Sequence, residues 1–354
     1  MNTIKNLREI ILLAGAYISV CIGSGFATGQ ELLQFFSAHG MKSILVGIVC
    51  MFIMAYCGAK LFYIGKTVKL RSSNDIFVYL FGDYIGGIFK VLIPVFSLCS
   101  FVVMISGAGA SINQFYGIDK SIGVIILAIL SLISVIMGIE KVIYILGNIG
   151  PIVIIIVISI SVITISKNYS QLPNIANMVS TVHLTKAVDH WWLSAIIYSG
   201  LNIILSTQFL VGAGKSIKNT SNCKYAGIVG GSMYVIAAMF INIALLSNIQ
   251  NLYSREIPTL SMANDISSIV GILFSIILIV EIYTTAAPLL WNVCSSCAEE
   301  KTKKFNILAV LCTILGAFGG MLPFSYLVSF LYPISGTIGV FIIIATIFKA
   351  KPAF

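Results

Sequence analysis

The sequence predicts an all-α integral membrane protein of ten transmembrane helices, built as two inverted repeats of five, with helices 1 and 6 discontinuous. Three observations predict it. Of 354 residues, 58% are hydrophobic and only 9% charged, against about 25% charged in soluble domains. Apolar runs of membrane-crossing length recur along the whole chain. Lys and Arg segregate between alternate connections.

The runs lie near 10–37, 41–64, 86–115, 121–138, 142–165, 191–211, 225–247, 265–292, 306–320 and 325–348. Each comes near or above the ~20 residues a helix needs to cross hydrocarbon. The ninth is short and relies on tilt or on its neighbours. The first is too long, and too polar at its centre, to read as a cleavable leader. The longest connections, 66–85 and 166–190, have room for a short surface helix but not for a soluble domain. With the N-terminus inside, sixteen of the 21 Lys and Arg fall in inner segments. Only Lys42, Lys120, Lys167, Lys186 and Arg255 fall in outer ones. This bias places both termini in the cytoplasm.

Ten spans divide into residues 1–165 (spans 1 to 5), an outer connection 166–190, and 191–354 (spans 6 to 10). An odd number per half inserts the second half upside down relative to the first. Two interruptions then correspond. Gly23-Ser24-Gly25 sits at the centre of span 1, followed by Thr28, Gly29, Gln30 and Glu31; Ser199-Gly200-Leu201-Asn202 interrupts span 6. Interrupted helices at matching places in two halves are the best sequence pointer to a transporter binding site. Freed backbone groups in lipid are costly unless they meet a ligand, an ion or protein.

Other classes find no support. The net charge of +9 is spread over short loops and forms no nucleic-acid groove. There is no phosphate-binding loop for ATP-driven pumping. His39, His183 and His190 fall in outer segments, too scattered for a metal site or a catalytic pair. Cys294-x-x-Cys297 resembles half of a zinc site, without the second half that four-coordinate zinc needs. None of the eight cysteines falls in an outer loop, so a disulfide framework is not expected. Trp191-Trp192 suits an interfacial aromatic belt.

With ten spans and matched breaks, the chain resembles the five-plus-five transporters of the LeuT fold and, more broadly, the amino acid–polyamine–organocation superfamily. Gly23-Ser24-Gly25-Phe26-Ala27-Thr28-Gly29-Gln30-Glu31 also resembles the opening of the YkvI-like bacterial membrane proteins. The resemblance implies a symporter in a bacterial cytoplasmic membrane. Its partners would be the lipid bilayer and a small organic solute, with an amino acid as first expectation. Na⁺ or H⁺ would be the coupling ion, and no cofactor is implied. Alternatives are a ligand-sensing subunit of the spore germinant receptor type and an uncoupled facilitator. Fold does not reveal substrate.

By this resemblance, Gly23, Ser24, Gly25 and Phe26 present backbone groups to a substrate carboxylate at a helix N-terminus, whose partial positive charge suits anions. Thr28 lies beside them, Ser106 of span 3 faces them, and Tyr198, Ser199, Gly200 and Asn202 hold the rest of the substrate. A Na⁺ site would combine the Thr284 and Thr285 hydroxyls with the carbonyls of Glu281, Ser19 and Ile22, since oxygen ligands suit a hard cation. The competing readings are ordinary ones: glycines that pack helices closely, and hydroxyls that bond back to their own helix. Glu281 stands in a long apolar run, where an ionised carboxylate costs a few kcal/mol. It is therefore a proton-coupling candidate, as is Glu31. Pro258-Thr259-Leu260, ahead of span 8, would dip into the outer vestibule as a gate.

Overall fold

The computed structural model describes residues 2–138, 140–217 and 219–349; the side chains of 2–5, 24 and 140–151 lie outside that description. All regular structure among the described residues is helical. The first predicted run becomes three pieces, α1 (Asn2–Cys21), α2 (Ser24–Thr28) and α3 (Gln30–Phe35). Then follow α4 (Ser43–Thr67), α5 (Ile76–Tyr116), α6 (Lys120–Met137) and α7 (Glu140–Lys167). The connection expected to carry a surface helix contains α8 (Ile175–Ser180). The second half holds α9 (Trp191–Lys215), α10 (Thr220–Ser247), α11 (Ile249–Leu252), α12 (Pro258–Ile266), α13 (Ser268–Ser295), α14 (Lys303–Gly320) and α15 (Phe324–Lys349).

Among the described residues, eight helices are long and apolar enough to cross a membrane, or nine if the bent pair Ile152–Lys167 and Tyr169–Ser180 is one span. α1 is not one of them, because Lys5, Arg8 and Glu9 occupy its first half. Large apolar side chains such as Phe52, Ile155, Ile269 and Phe348 are exposed, as expected where lipid replaces water as the solvent.

The helices pack in two groups. α1, α4, α9 and α10 contact one another, while α5, α6, α13 and α14 form a second set. α7 touches α10 and α13, and α15 lies mainly along α9. α5 begins with a bend at Gly82 (φ 80°, ψ 176°), a backbone conformation that glycine adopts without strain.

The predicted break in span 6 is overturned. α9 is a single helix from Trp191 to Lys215. Its polar residues bond back one turn: Ser199 Oγ donates to Ala195 O (2.8 Å), Asn202 Nδ2 to Tyr198 O (3.0 Å) and Thr207 Oγ1 to Ile203 O (2.6 Å). Gly200 serves a packing purpose. A Cβ there would strike the backbone of Gly336, and a Cβ on Gly339 would strike Gly200. Small residues thus let α9 and α15 approach backbone to backbone.

Candidate functional site

α1 stops at Cys21 because Gly23 is extended (φ −105°, ψ 177°) and cannot continue it. Its last turn closes with Ile22 N donating to Ile18 O at 3.0 Å. α2 begins when Phe26 N and Ala27 N both donate to Gly23 O at 3.1 Å. A second break, not anticipated as one from the sequence, follows at Gly29 (φ 79°). That left-handed conformation favours glycine, and a Cβ would also come within 2.9 Å of Thr259 Cγ2.

Beside the first break lies a cavity of about 340 Å³, bordered by α1, α5, α9, α13 and α15. Of the residues singled out by the sequence, Ser19, Ile22, Gly23, Glu31, Asn202 and Thr285 border it. Met104, Gln208 and Asn292 border it too, and no pattern in the sequence marked them. From the break the cavity runs toward Phe209 and Asn292, near the ends of α9 and α13 that precede Lys215 and the Lys301–Lys304 cluster.

Glu31 is 5% exposed, and its carboxyl folds back over the first break. A Cβ on Gly25 would overlap the Glu31 Oε1, Cγ and Cδ atoms. Tyr198 is its hydrogen-bonding neighbour, and the Tyr198 hydroxyl in turn pairs with Tyr234 at 2.7 Å. Tyr234 stacks on Phe26, with ring centroids 5.0 Å apart. Across the break, Glu281 is 3% exposed and its Oε2 has no hydrogen-bond partner among the described residues.

Several expected residues point elsewhere. Ser106 Oγ donates to Leu322 O (2.8 Å), away from the break. Thr28 Oγ1 donates to Gly25 O (3.0 Å) and so closes its own turn. Ser199 and Gly200 belong to the α9 helix and its contact with α15, as described above, and Phe26 is wholly buried against Tyr234. The Ser24 side chain lies outside the described residues. The cation candidates divide: Ser19, Ile22 and Thr285 border the cavity, but Ser19 Oγ donates to Gly15 O (2.9 Å) and Thr284 Oγ1 to Glu281 O (3.0 Å).

On the far side of α2 the way is shut. Thr259, fully buried, donates from Oγ1 to Ala27 O at 2.6 Å. Gln114 of α5 holds the start of α12 through Ile257 O (2.8 Å) and Ile257 N (3.0 Å). Beyond this seam lie a cavity of about 220 Å³, lined by Gln30, Gln34 and Arg255 among others, and a polar groove of about 480 Å³ lined by Gln114, Arg255 and Asp265 among others. None of the expected substrate or ion ligands borders the groove; of the expected gate, Leu260 does.

No family model matches the chain. It is 26% identical over 342 residues to the uncharacterized membrane protein YkvI of Bacillus subtilis (strain 168), covering 96% of each chain. Among solved structures it resembles MhsT in complex with L-phenylalanine (TM-score 0.65, 14% identity, 93% of this chain and 87% of that one). It also resembles a Na⁺-coupled sialic acid symporter in a substrate-bound outward-open state (TM-score 0.53, 14% identity, 99% and 98%). The fold of this chain is therefore the LeuT fold of membrane transporters, and along nearly its whole length the chain is similar to YkvI.

Proposed function

We propose that this chain is a secondary transporter of a small organic solute, coupled to Na⁺ or H⁺, in a bacterial cytoplasmic membrane with both termini inside. An amino acid is the first substrate class to test, since the structures it resembles include one holding L-phenylalanine. Counting α1 to α3 as one interrupted span and α7 as another gives ten, and the two halves would then be inverted repeats of five.

The observation that carries the reading is a cavity of about 340 Å³ beside an interrupted helix, bordered by α1, α5, α9, α13 and α15. That volume lies in the range of small-molecule sites. Phe209 and Asn292 of its lining lie toward the Lys-rich connections, which supports an inward-facing arrangement by the charge bias. The packing in two sets supports alternating access, in which α1, α4, α9 and α10 move as a unit against α5, α6, α13 and α14. The Thr259–Ala27 seam opens as the inner cavity closes. Each ligand must bind the two states unequally for coupling to arise.

Two coupling routes suit different residues. That Ser19, Ile22 and Thr285 border the same cavity supports a cation held by the Thr285 hydroxyl and the Ser19 and Ile22 carbonyls, which Thr284 and Glu281 would join by exchanging their mutual hydrogen bond for the ion. Glu281, deep in the membrane with an unpartnered oxygen, suits proton exchange instead. The test is uptake into proteoliposomes under a Na⁺ gradient or a proton gradient, across a panel of amino acids. Uptake driven by either gradient supports transport and identifies the ion. Solute binding without net uptake under any gradient would overturn the reading in favour of a sensing subunit.

A further inference from the structure

We infer that the solute is recognised at the break by a cationic group, an ammonium received between Glu31 and Glu281, and not by a carboxylate lodged on the backbone of α2. This inference rests on the reading of the cavity as a solute site.

The first observation is steric. The Glu31 carboxyl lies against Gly25, where a Cβ would overlap it, so a carboxylate docked at the start of α2 would sit beside an acid. Glu31 also borders the cavity, so its carboxyl faces whatever enters. A second anion there would meet like charge away from water, where repulsion is weakly screened. The second observation is an unpaired oxygen. Glu281 is 3% exposed, and its Oε2 has no partner among the described residues. Glu281 lies four, seven and eleven residues before Thr285, Pro288 and Asn292, all of which border the cavity. These offsets share one helical face, which sets Glu281 one turn beyond Thr285 on the face that borders the cavity. Glu31 and Thr285, one turn from Glu281, border the same cavity.

Among the described residues, no Lys, Arg or His borders the cavity. The remaining titratable neighbours of Glu31 are Tyr198, Tyr234 and Cys21. Two carboxyls brought together in a site of low dielectric hold a proton in place of charge unless a cation stands between them, so an entering ammonium is what lets both ionise. An ammonium offers three donors, enough for both carboxyls. A bare metal ion would fill the carboxyl end but leave a cavity of about 340 Å³ unused.

The test uses matched triplets against the purified full-length chain: L-leucine, isoamylamine and isocaproate; L-phenylalanine, phenethylamine and hydrocinnamate. Binding is read by thermal shift and calorimetry, in choline and in Na⁺. We expect the amino acid and the amine of at least one triplet to bind and the acid not to. Glu31→Gln and Glu281→Gln should each weaken amine binding on the order of tenfold or more. The unliganded melting temperature of each variant reports whether it is folded, and Gly25→Ala, which displaces Glu31 without changing charge, gives an independent perturbation with the same expected loss. Binding of the acid in preference to the amine overturns the inference and leaves transport standing. Unchanged amine affinity in both Gln variants overturns it as well. Na⁺ binding without solute that is lost in Glu31→Gln would assign the carboxyls to a metal ion and overturn it. If no member of any triplet binds, the inference falls; the transport reading falls with it only if proteoliposomes also show no uptake.

Discussion

Gly23-Ser24-Gly25 and Ser199-Gly200-Leu201-Asn202 read alike in the sequence, and the molecule treats them oppositely. At the first, helix α1 ends, the chain runs extended through Gly23, and a short new helix begins. At the second, α9 continues without interruption. What differs is the neighbour. Gly25 faces the folded-back carboxyl of Glu31, whereas Gly200 faces the backbones of Gly336 and Gly339. A glycine set against another helix is a packing device; one set against an acid and a cavity is part of a site. Polar residues beside a glycine do not separate the cases, because Ser199 and Asn202 spend their hydrogen bonds on their own helix.

The contrast is broken most severely by bulk. Gly200→Leu or Gly339→Leu should destabilise the protein by about 3 kcal/mol or more, since backbone atoms cannot move aside as side chains do. Thermal unfolding in detergent measures this, and a small shift would mean that α9 and α15 are not in backbone contact. Gly25→Ala should cost less, about 1 kcal/mol, because the colliding Glu31 side chain can rotate away. Its effect should instead appear as lost solute binding. Gly23→Ala is a control at the same break: its Cβ would meet only Met104 Cε, at 3.7 Å, so the fold should be unaffected.

These positions also show what was legible beforehand. The helices, the break at Gly23 and the burial of Glu281 follow from hydropathy and from the cost of polar groups in lipid. Pro258-Thr259-Leu260, read as dipping toward the site, opens α12, with Thr259 buried and bonded to α2. The continuity of α9 was not legible, because it depends on glycines about 140 residues away in α15. Nor was the orientation of Ser106, which is set by the Leu322 carbonyl in a distant turn. The second break at Gly29 had a local signal, a glycine between polar residues, but its left-handed backbone becomes necessary only with Thr259 packed against it.

A milder perturbation addresses the seam. Thr259→Val keeps the shape and removes the hydrogen bond to Ala27 O. A bond of this kind contributes about 1 kcal/mol, roughly a fivefold change in an equilibrium constant. Leu33 borders the cavity beyond the seam and is 3% exposed. In a Cys297→Ser background, a Leu33→Cys probe should therefore react about fivefold faster with an impermeant maleimide when Thr259→Val is added. No change in rate would remove the seam from the gating step.

The smallest expected effect is the most discriminating. The Ser199 hydroxyl donates to Ala195 O, a carbonyl that sits in a continuous helix. Back-bonding of this kind contributes little, because the carbonyl already serves the helix ladder. Ser199→Ala should therefore change stability by less than about 0.5 kcal/mol and leave solute affinity unchanged. Asn202→Ala differs by position, since Asn202 borders the cavity and its loss should be felt in binding. If α9 unwinds in another state of the cycle, the Ser199 hydroxyl becomes a free ligand, and Ser199→Ala would then lower uptake without altering the stability of the inward-facing form. Equal uptake in Ser199→Ala and the unaltered chain would show that α9 stays whole throughout, leaving the α1 break as the only one that works the site.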